Sequence, residues 1–504
     1  MTRAPKNIYQ GENKMKRTSF ALILASLILI TACGSEAGRT DTTPAADSTE
    51  TVSETSETTA ETPDITSADF GGAEVSFLMN QCFQWAEMND FGTGEMNGDI
   101  LNDAYYRRNK TVEEALNITI NVVENSNDNV KTTLQKSIMA GDGEYSAMIA
   151  RGYSLCSLAT GGYLTDLMSM DTLDLSHSWW DQGANRDLSF GNKLYMTTGD
   201  ISTTINEDSC VILFSKSLSE KYNIPDIYSI VREGKWTLDK FDELCRIVAG
   251  DENGDGVMDE NDRYGAIIWD DSMMAVINSS GLKCCEINDD GEIELSLYSE
   301  RAVDAVSKYL AIAGDTNLCF PYQRYSGKGD IEKLSNDMFM GDRALFFVEL
   351  LHRALSYRNM ENDYGIIPFP KYDESQDAYY TNVGAYPSVF LAVPADIQDP
   401  DMIGTVLENL GYQSKEIVRD AYYTRTLVGK ATRDDESAEM LDIIFSNRVY
   451  DIGWLEEVGG YNEEIMNIFR TGKSDFSSMY AKFETKAQDQ IAKLNDEISG
   501  ASEK

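Results

Sequence analysis

The chain has 504 residues, 42% of them apolar, with 6 Trp and 26 Tyr, so it can bury a large core and is long enough for two or more domains. A formal charge of −41 argues against nucleic acid and anionic lipid as partners, since both require a basic face. The only histidines are His177 and His352, which leaves little material for a nucleophilic triad.

At the start, Met15-Lys16-Arg17 precedes an apolar run from Phe20 to Ile30, followed by Thr31-Ala32-Cys33-Gly34. A basic stub, an apolar run and a small-residue cleavage site make residues 1–32 a secretory signal, with Met15 the expected start. The run is too short to span a bilayer, which takes ~20 residues. The placement of Cys33 resembles the lipobox of bacterial lipoproteins. That resemblance implies a lipidated, palmitate-bearing Cys33 and anchoring of the protein to the outer face of the cell membrane. The alternative is an ordinary signal with a chance cysteine. Residues 33–67 are almost wholly Ser, Thr, Glu, Asp, Ala and Pro, with no aromatic residue, and predict a disordered tether. Removing residues 1–32 takes away five Lys/Arg and one Glu, so the mature chain carries −45.

The folded body begins near Phe70. Residues 73–80 read as a buried strand, 100–117 as an amphipathic helix, 118–124 as an alternating strand and 129–141 as a helix, with a short strand after it at 145–152. This alternation predicts a mainly parallel sheet covered on both faces. It resumes at 236–250, a helix with Thr237 as N-cap and Asp239 and Asp242 in its early turns. Further strands are expected at 264–269, 344–349, 364–370 and 387–394, with helices at 299–313 and 328–340, and the last hundred residues read as helical. Cys33, Cys82, Cys156, Cys210, Cys245, Cys284, Cys285 and Cys319 show no metal-type spacing, and most read as small buried hydrophobes.

Between the helix at 236–250 and the strand at 264–269 lies an acidic loop. Asp251, Asn253, Asp255, Asp259 and Asp262 fall at positions 1, 3, 5, 9 and 12 of a calcium-loop pattern, with Gly256 at position 6 and the Val257 carbonyl at position 7. Alternate oxygens bending round a glycine suit a hard cation, so one structural Ca²⁺ is expected here. Asp262 departs from the glutamate of EF-hands, and a sensor would need a second hand. The alternative is an acidic solvated turn.

Several segments together resemble the extracellular solute-binding proteins of ABC importers, the family-1 class that includes maltodextrin-binding protein. They are Ile205–Ile224 leading into Gly234–Ile247, the acidic turn, Tyr264–Trp269, Met338–Glu349, Tyr364–Tyr372 and Ala385–Asp396. The Phe-x-x-Gly element of that family is matched loosely, since Phe339 precedes Gly341 by only two positions. The resemblance covers most of residues 70–500. It implies a two-lobe α/β fold of the periplasmic-binding type, each lobe a mainly parallel sheet flanked by helices, joined at a hinge by two or three crossovers. Lobe 1 is expected at 68–198 and 366–412, and lobe 2 at 199–365 and 413–504.

The resemblance further implies a monomer that captures a small polar solute, a sugar or oligosaccharide foremost, between the lobes and delivers it to ABC permease subunits. No catalytic residue and no organic cofactor are expected. Strand ends facing such a cleft supply the candidates: Gln84 and Trp85, Arg151 and Tyr153, Trp269 and Asp270, Glu349 and His352, and Tyr386 before a later strand. Trp179, in an aromatic-rich stretch, is a further candidate platform. For each, packing in the core or on the surface is the alternative. A surface-anchored glycoside-active enzyme and a sensor or adhesive lipoprotein are the competing functions.

Overall fold

The structure, a computed structural model, describes residues 61–80, 89–126, 129–357, 360, 362–427, 435–473 and 475–501. In chain order the strands that build its two main sheets are β1 (Ala73–Asn80), β2 (Ile118–Asn125), β3 (Ala147–Arg151), β4 (Cys210–Ser215), β5 (Tyr264–Ile268), β6 (Cys319–Pro321), β7 (Ala344–Leu350), β8 (Tyr364–Pro368) and β9 (Val389–Ala392). The first sheet has the order β9-β3-β1-β2 and the second β6-β5-β7-β4-β8. The expected two-lobe α/β architecture is present.

Both sheets depart from the mainly parallel expectation in one respect. β9 runs antiparallel at the edge of the first sheet, and β4 runs antiparallel between β7 and β8 in the second. These are strands that arrive from the other lobe. A chain entering a sheet from outside its βαβ succession need not obey the parallel crossover rule.

Alternation along β1 sets the layers. Val75, Phe77 and Met79 share one cluster with Val112 and Leu116 of α1 (Ile100–Leu116), whereas Leu78 joins Val130 and Leu134 of α2 (Val130–Ala140) and Leu155 of α3 (Gly152–Thr160). Period two thus places helices on both faces. Asp99 caps α1 by accepting from the Leu101 and Asn102 N–H groups. In the second sheet Ile212, Phe346 and Val348 face Phe241 and Leu244 of α4 (Leu238–Val248), which begins at the expected Thr237 cap. α4 approaches so closely that a Cβ on Gly265 would lie 2.3 Å from the Cys245 Cβ, so a side chain there would lift the helix off β5. After β5 comes α5 (Ser272–Ser279), and before β7 comes α6 (Ile331–Met340).

Residues beyond β8 redraw the expected lobe boundaries. Ile366 and Pro368 pair with Leu213 and Val211, so the second lobe continues past 366. α7 (Pro400–Gln413) packs on α1, and so does α8 (Arg419–Leu427), with Val418 and Tyr422 against Leu101, Ala104 and Tyr105. The first lobe therefore extends beyond 412, because the apolar face of α1 needs this cover. α9 (Asp435–Ser446) returns to the second sheet, where Leu441 and Ile444 join Tyr364. α10 (Phe476–Ala501) packs against both α3 and the strand Ile293–Leu295.

Three chain crossings between the sheets lie side by side. Ser209 bridges Val383, and Thr381-Asn382 pairs with Arg448-Val449. Residues 61–67, expected within the tether, are laid against the body: Glu61 accepts from the Ser178 N–H, and the Ile65 carbonyl accepts from Asn409 Nδ2 at 2.7 Å. The described cysteines, Cys156, Cys210, Cys245, Cys284, Cys285 and Cys319, are all buried and free. Among the described residues no helix is long and apolar enough to cross a membrane.

Candidate functional site

The parallel strands β5, β6 and β7 end side by side, since Ile268 is the partner of both Pro321 and Val348. The residues just past these ends therefore converge, as is usual at the carboxyl edge of such sheets. Trp269, Asp270 and Asp271 leave β5, Tyr322 and Gln323 leave β6, and Glu349, His352 and Arg353 come from β7 and the turn after it. With Tyr386 and Arg470 they line a cleft of about 760 Å³.

The first lobe reaches the same place through Tyr386. β3 ends at Arg151, whose N–H donates to Asn80 Oδ1 at 2.7 Å, tying it to the end of β1. The Arg151 guanidinium lies 4.4 Å from the centroid of the Tyr386 ring, and the Tyr153 ring is 6.3 Å from it. Tyr386 itself is 58% exposed and lines the cleft.

The charges inside are mostly paired. Buried Glu349 accepts from the Tyr322 hydroxyl at 2.9 Å and from the Leu350 N–H at 3.1 Å, and forms an ion pair with Arg353 at 3.4 Å. Arg353 also holds Glu332 at 3.1 Å. Burial pushes the Glu349 carboxyl above its ordinary range, while Arg353 draws it back. Asp270 pairs with Arg470, which holds Glu463 at 2.7 Å on its other side. Its carboxyl too is raised by burial against the pull of Arg470. Burial and the adjacent Arg353 push His352 down to about 3, so its imidazole is neutral near pH 7. The cleft thus presents aromatic faces, fixed carboxylates and a neutral imidazole, a set suited to a small polar molecule.

Trp269, Asp270, Glu349, His352 and Tyr386 share the cleft, and Arg151 and Tyr153 stand against Tyr386. Gln84 and Trp85 lie outside the described residues, as does Cys33. Trp179 is elsewhere: it is 1% exposed, stacks on His177 at 4.2 Å and meets Tyr412 edge-on. It lines a separate groove of about 520 Å³ with Asp200, Arg419 and Arg448 and packs in the apolar cluster of the first lobe. The expectations missed Asp271, Tyr322, Arg353 and Arg470. Asp271 and Tyr322 carry the strand-end signal already used for their neighbours. Arg470 carries none, since it reaches Asp270 from 200 residues away.

The acidic loop has its own internal order. Asp251 accepts from the Gly254 and Gly256 N–H groups at 2.6 and 2.8 Å, Asn253 from Asp255 at 2.8 Å and Asp255 from Val257 at 2.8 Å. Asp259 accepts from Asn261, and fully buried Asp262 from Glu252 and Asp259 at 2.9 Å each. The Gly256 N–H in particular holds the Asp251 carboxyl below its usual range. Among the described residues no three His, Cys, Asp or Glu side chains gather as metal ligands. Each accepting oxygen keeps a second lone pair beyond the N–H it accepts.

No family model matches the chain, and no curated protein does. Solved structures do. A sugar transporter from Rhizobium etli in an open conformation aligns at TM-score 0.54 and 12% identity, covering 85% of this chain and 99% of that one. The fold is that of the two-lobed extracellular solute-binding proteins. A cyclo/maltodextrin-binding protein complexed with maltotetraose aligns at TM-score 0.54 and 16% identity, covering 84% and 97%. An ABC substrate-binding protein from Listeria monocytogenes in complex with cycloalternan gives 0.51 and 14%, covering 85% and 99%. The solute-binding fold thus spans nearly the whole described chain, and at these identities the likeness concerns the fold.

Proposed function

We propose that the protein captures a small polar solute, a sugar or oligosaccharide, in the cleft between its lobes and hands it to the permease of an ABC importer without turning it over. The observation that carries this reading is the meeting of Arg151 and Tyr153 of the first lobe with the second-lobe cleft around Tyr386. A ligand favours a closed form only by its differential affinity for it, and contacts from both lobes supply that difference. The three adjacent crossings are the place where closure would bend the chain. Neighbours of the same fold are described with maltotetraose and cycloalternan bound, which supports a carbohydrate for this cleft.

The remaining parts of the reading rest on the chain's own residues. Lipid on Cys33 would hold a monomer on the outer face of the membrane, and residues 33–60 would give it reach. One Ca²⁺ on Asp251, Asn253, Asp255, the Val257 carbonyl, Asp259 and Asp262 would pin the connection between α4 and β5. The test of capture is calorimetry against a panel of malto-, cello- and chito-oligosaccharides, with Trp269→Ala and Arg151→Ala variants checked for folding. Loss of affinity in both folded variants supports a shared site. Unaltered affinity in both removes the cleft from the function.

A further inference from the structure

Among the described residues the cleft holds one carboxyl group without a partner. Asp270 is held by Arg470, and Glu349 and Glu332 by Arg353, while Arg470 is shared with Glu463 and Arg151 lies over Tyr386. Asp271 lines the same cleft, partly exposed, and among the described residues its carboxylate takes no hydrogen bond and no ion pair. It stands at the N-cap of α5 but does not cap it. The N–H groups of Ser272, Met273 and Met274 are already bonded to the Trp269, Asp270 and Asp271 carbonyls, so this helix end offers nothing to an anion. The rings of Trp269, Tyr322 and Tyr386 line the same cleft.

We propose that the solute bound here carries a protonated amine seated against Asp271, which in the carbohydrate reading makes it an oligosaccharide containing an unacetylated amino sugar. This rests on the cleft being the capture site. An ammonium group would supply the missing counter-charge, and aromatic faces lining the same cleft attract cations through their quadrupoles. The local potential agrees. Burial, then the carboxylates of Asp270 and Glu349, push the Asp271 carboxyl well above its ordinary range, and Arg470, already engaged twice, only partly offsets them. A carboxyl raised in this way takes up a proton more readily in the empty cleft, and a bound ammonium group would take that proton's place.

The experiment is calorimetry on the full folded protein with three probes: a glucosamine trimer with protonated amines, its fully N-acetylated counterpart, and spermidine. The glucosamine trimer should bind at least about tenfold more tightly than the acetylated one, since one charge-assisted contact is lost on acetylation. Asp271→Asn, confirmed folded by its melting temperature, should reduce that preference to within about twofold, because the amide keeps the shape and loses the charge. Binding of spermidine without either sugar would keep the cationic site and remove the carbohydrate reading. Equal or tighter binding of the acetylated trimer would overturn the cation and leave solute capture standing. A preference that survives in Asp271→Asn would also overturn it. Binding of none of the three at millimolar concentration would overturn the cationic proposal, and the neutral sugars of the wider panel would then decide capture separately.

Discussion

Glu456 offers a quantitative check on the contact between α3 and the C-terminal segment. Its half-buried carboxyl is pushed up from 4.5 to about 7, first by burial and then by Glu497, against a hydrogen bond from the Cys156 thiol on α3. A raised carboxyl pKa means that the charged form is disfavoured in the folded state. Its favourable contribution is complete below about 4.5 and is lost as pH rises through about 7. At about 1.4 kcal/mol per pH unit the full effect is of order 3 kcal/mol, and partial exposure brings the expected range to about 1–3 kcal/mol. With an unfolding entropy of ~2 cal/mol/K per residue over a body of roughly 440 residues, this is about 1–3 °C in melting temperature. Glu456→Gln keeps the shape without the titration, so its melting temperature should exceed that of the parent by this amount at pH 8 and match it at pH 4.5. Calorimetric scans of both proteins at the two pH values make the comparison, and other titrating groups cancel between them. A difference of the same size at both pH values would refute the reasoning.

Calcium should raise the melting temperature and a chelator lower it, since binding to the native state alone stabilises by RT ln(1 + [L]/Kd), about 2.7 kcal/mol at a hundred times Kd. Asp255→Ala should abolish that response, whereas no calorimetric binding up to several millimolar Ca²⁺ would leave the loop an acidic turn held by its own N–H groups. Cys33→Ala should release the protein from the membrane fraction or leave it unprocessed. Unchanged processing and membrane retention would exclude the lipid anchor.

Much of the fold is legible in the sequence because burial and period coincide. β1 is buried from Val75 to Asn80 and reads as an apolar run, and Thr237 announces α4 by the residues around it. Strand direction is not legible: the apolar pattern of β4 is the same whichever way it runs, and only the crossing from the first lobe fixes it. The packing of α8 on α1 is hidden for a related reason. Tyr422 is fully buried, yet an amphipathic helix does not say which lobe covers its face. In the site, strand-end logic finds Trp269, Asp270 and Glu349 because parallel β5 and β7 bring their ends together. Trp179 stands apart from the cleft, its ring covered by His177, Tyr412 and Lys415 in the first lobe. Asp271 escapes strand-end logic because two adjacent aspartates look alike in sequence. Only the Arg470 pairing tells them apart.

The central claim is that one ligand touches both lobes, and X-ray scattering tests it most directly. With a saturating oligosaccharide from the panel, the radius of gyration should fall relative to the ligand-free protein, and it should not fall in an Arg151→Ala, Tyr386→Ala double variant whose fold is intact. Tight binding by the parent protein with no compaction would contradict capture between the lobes.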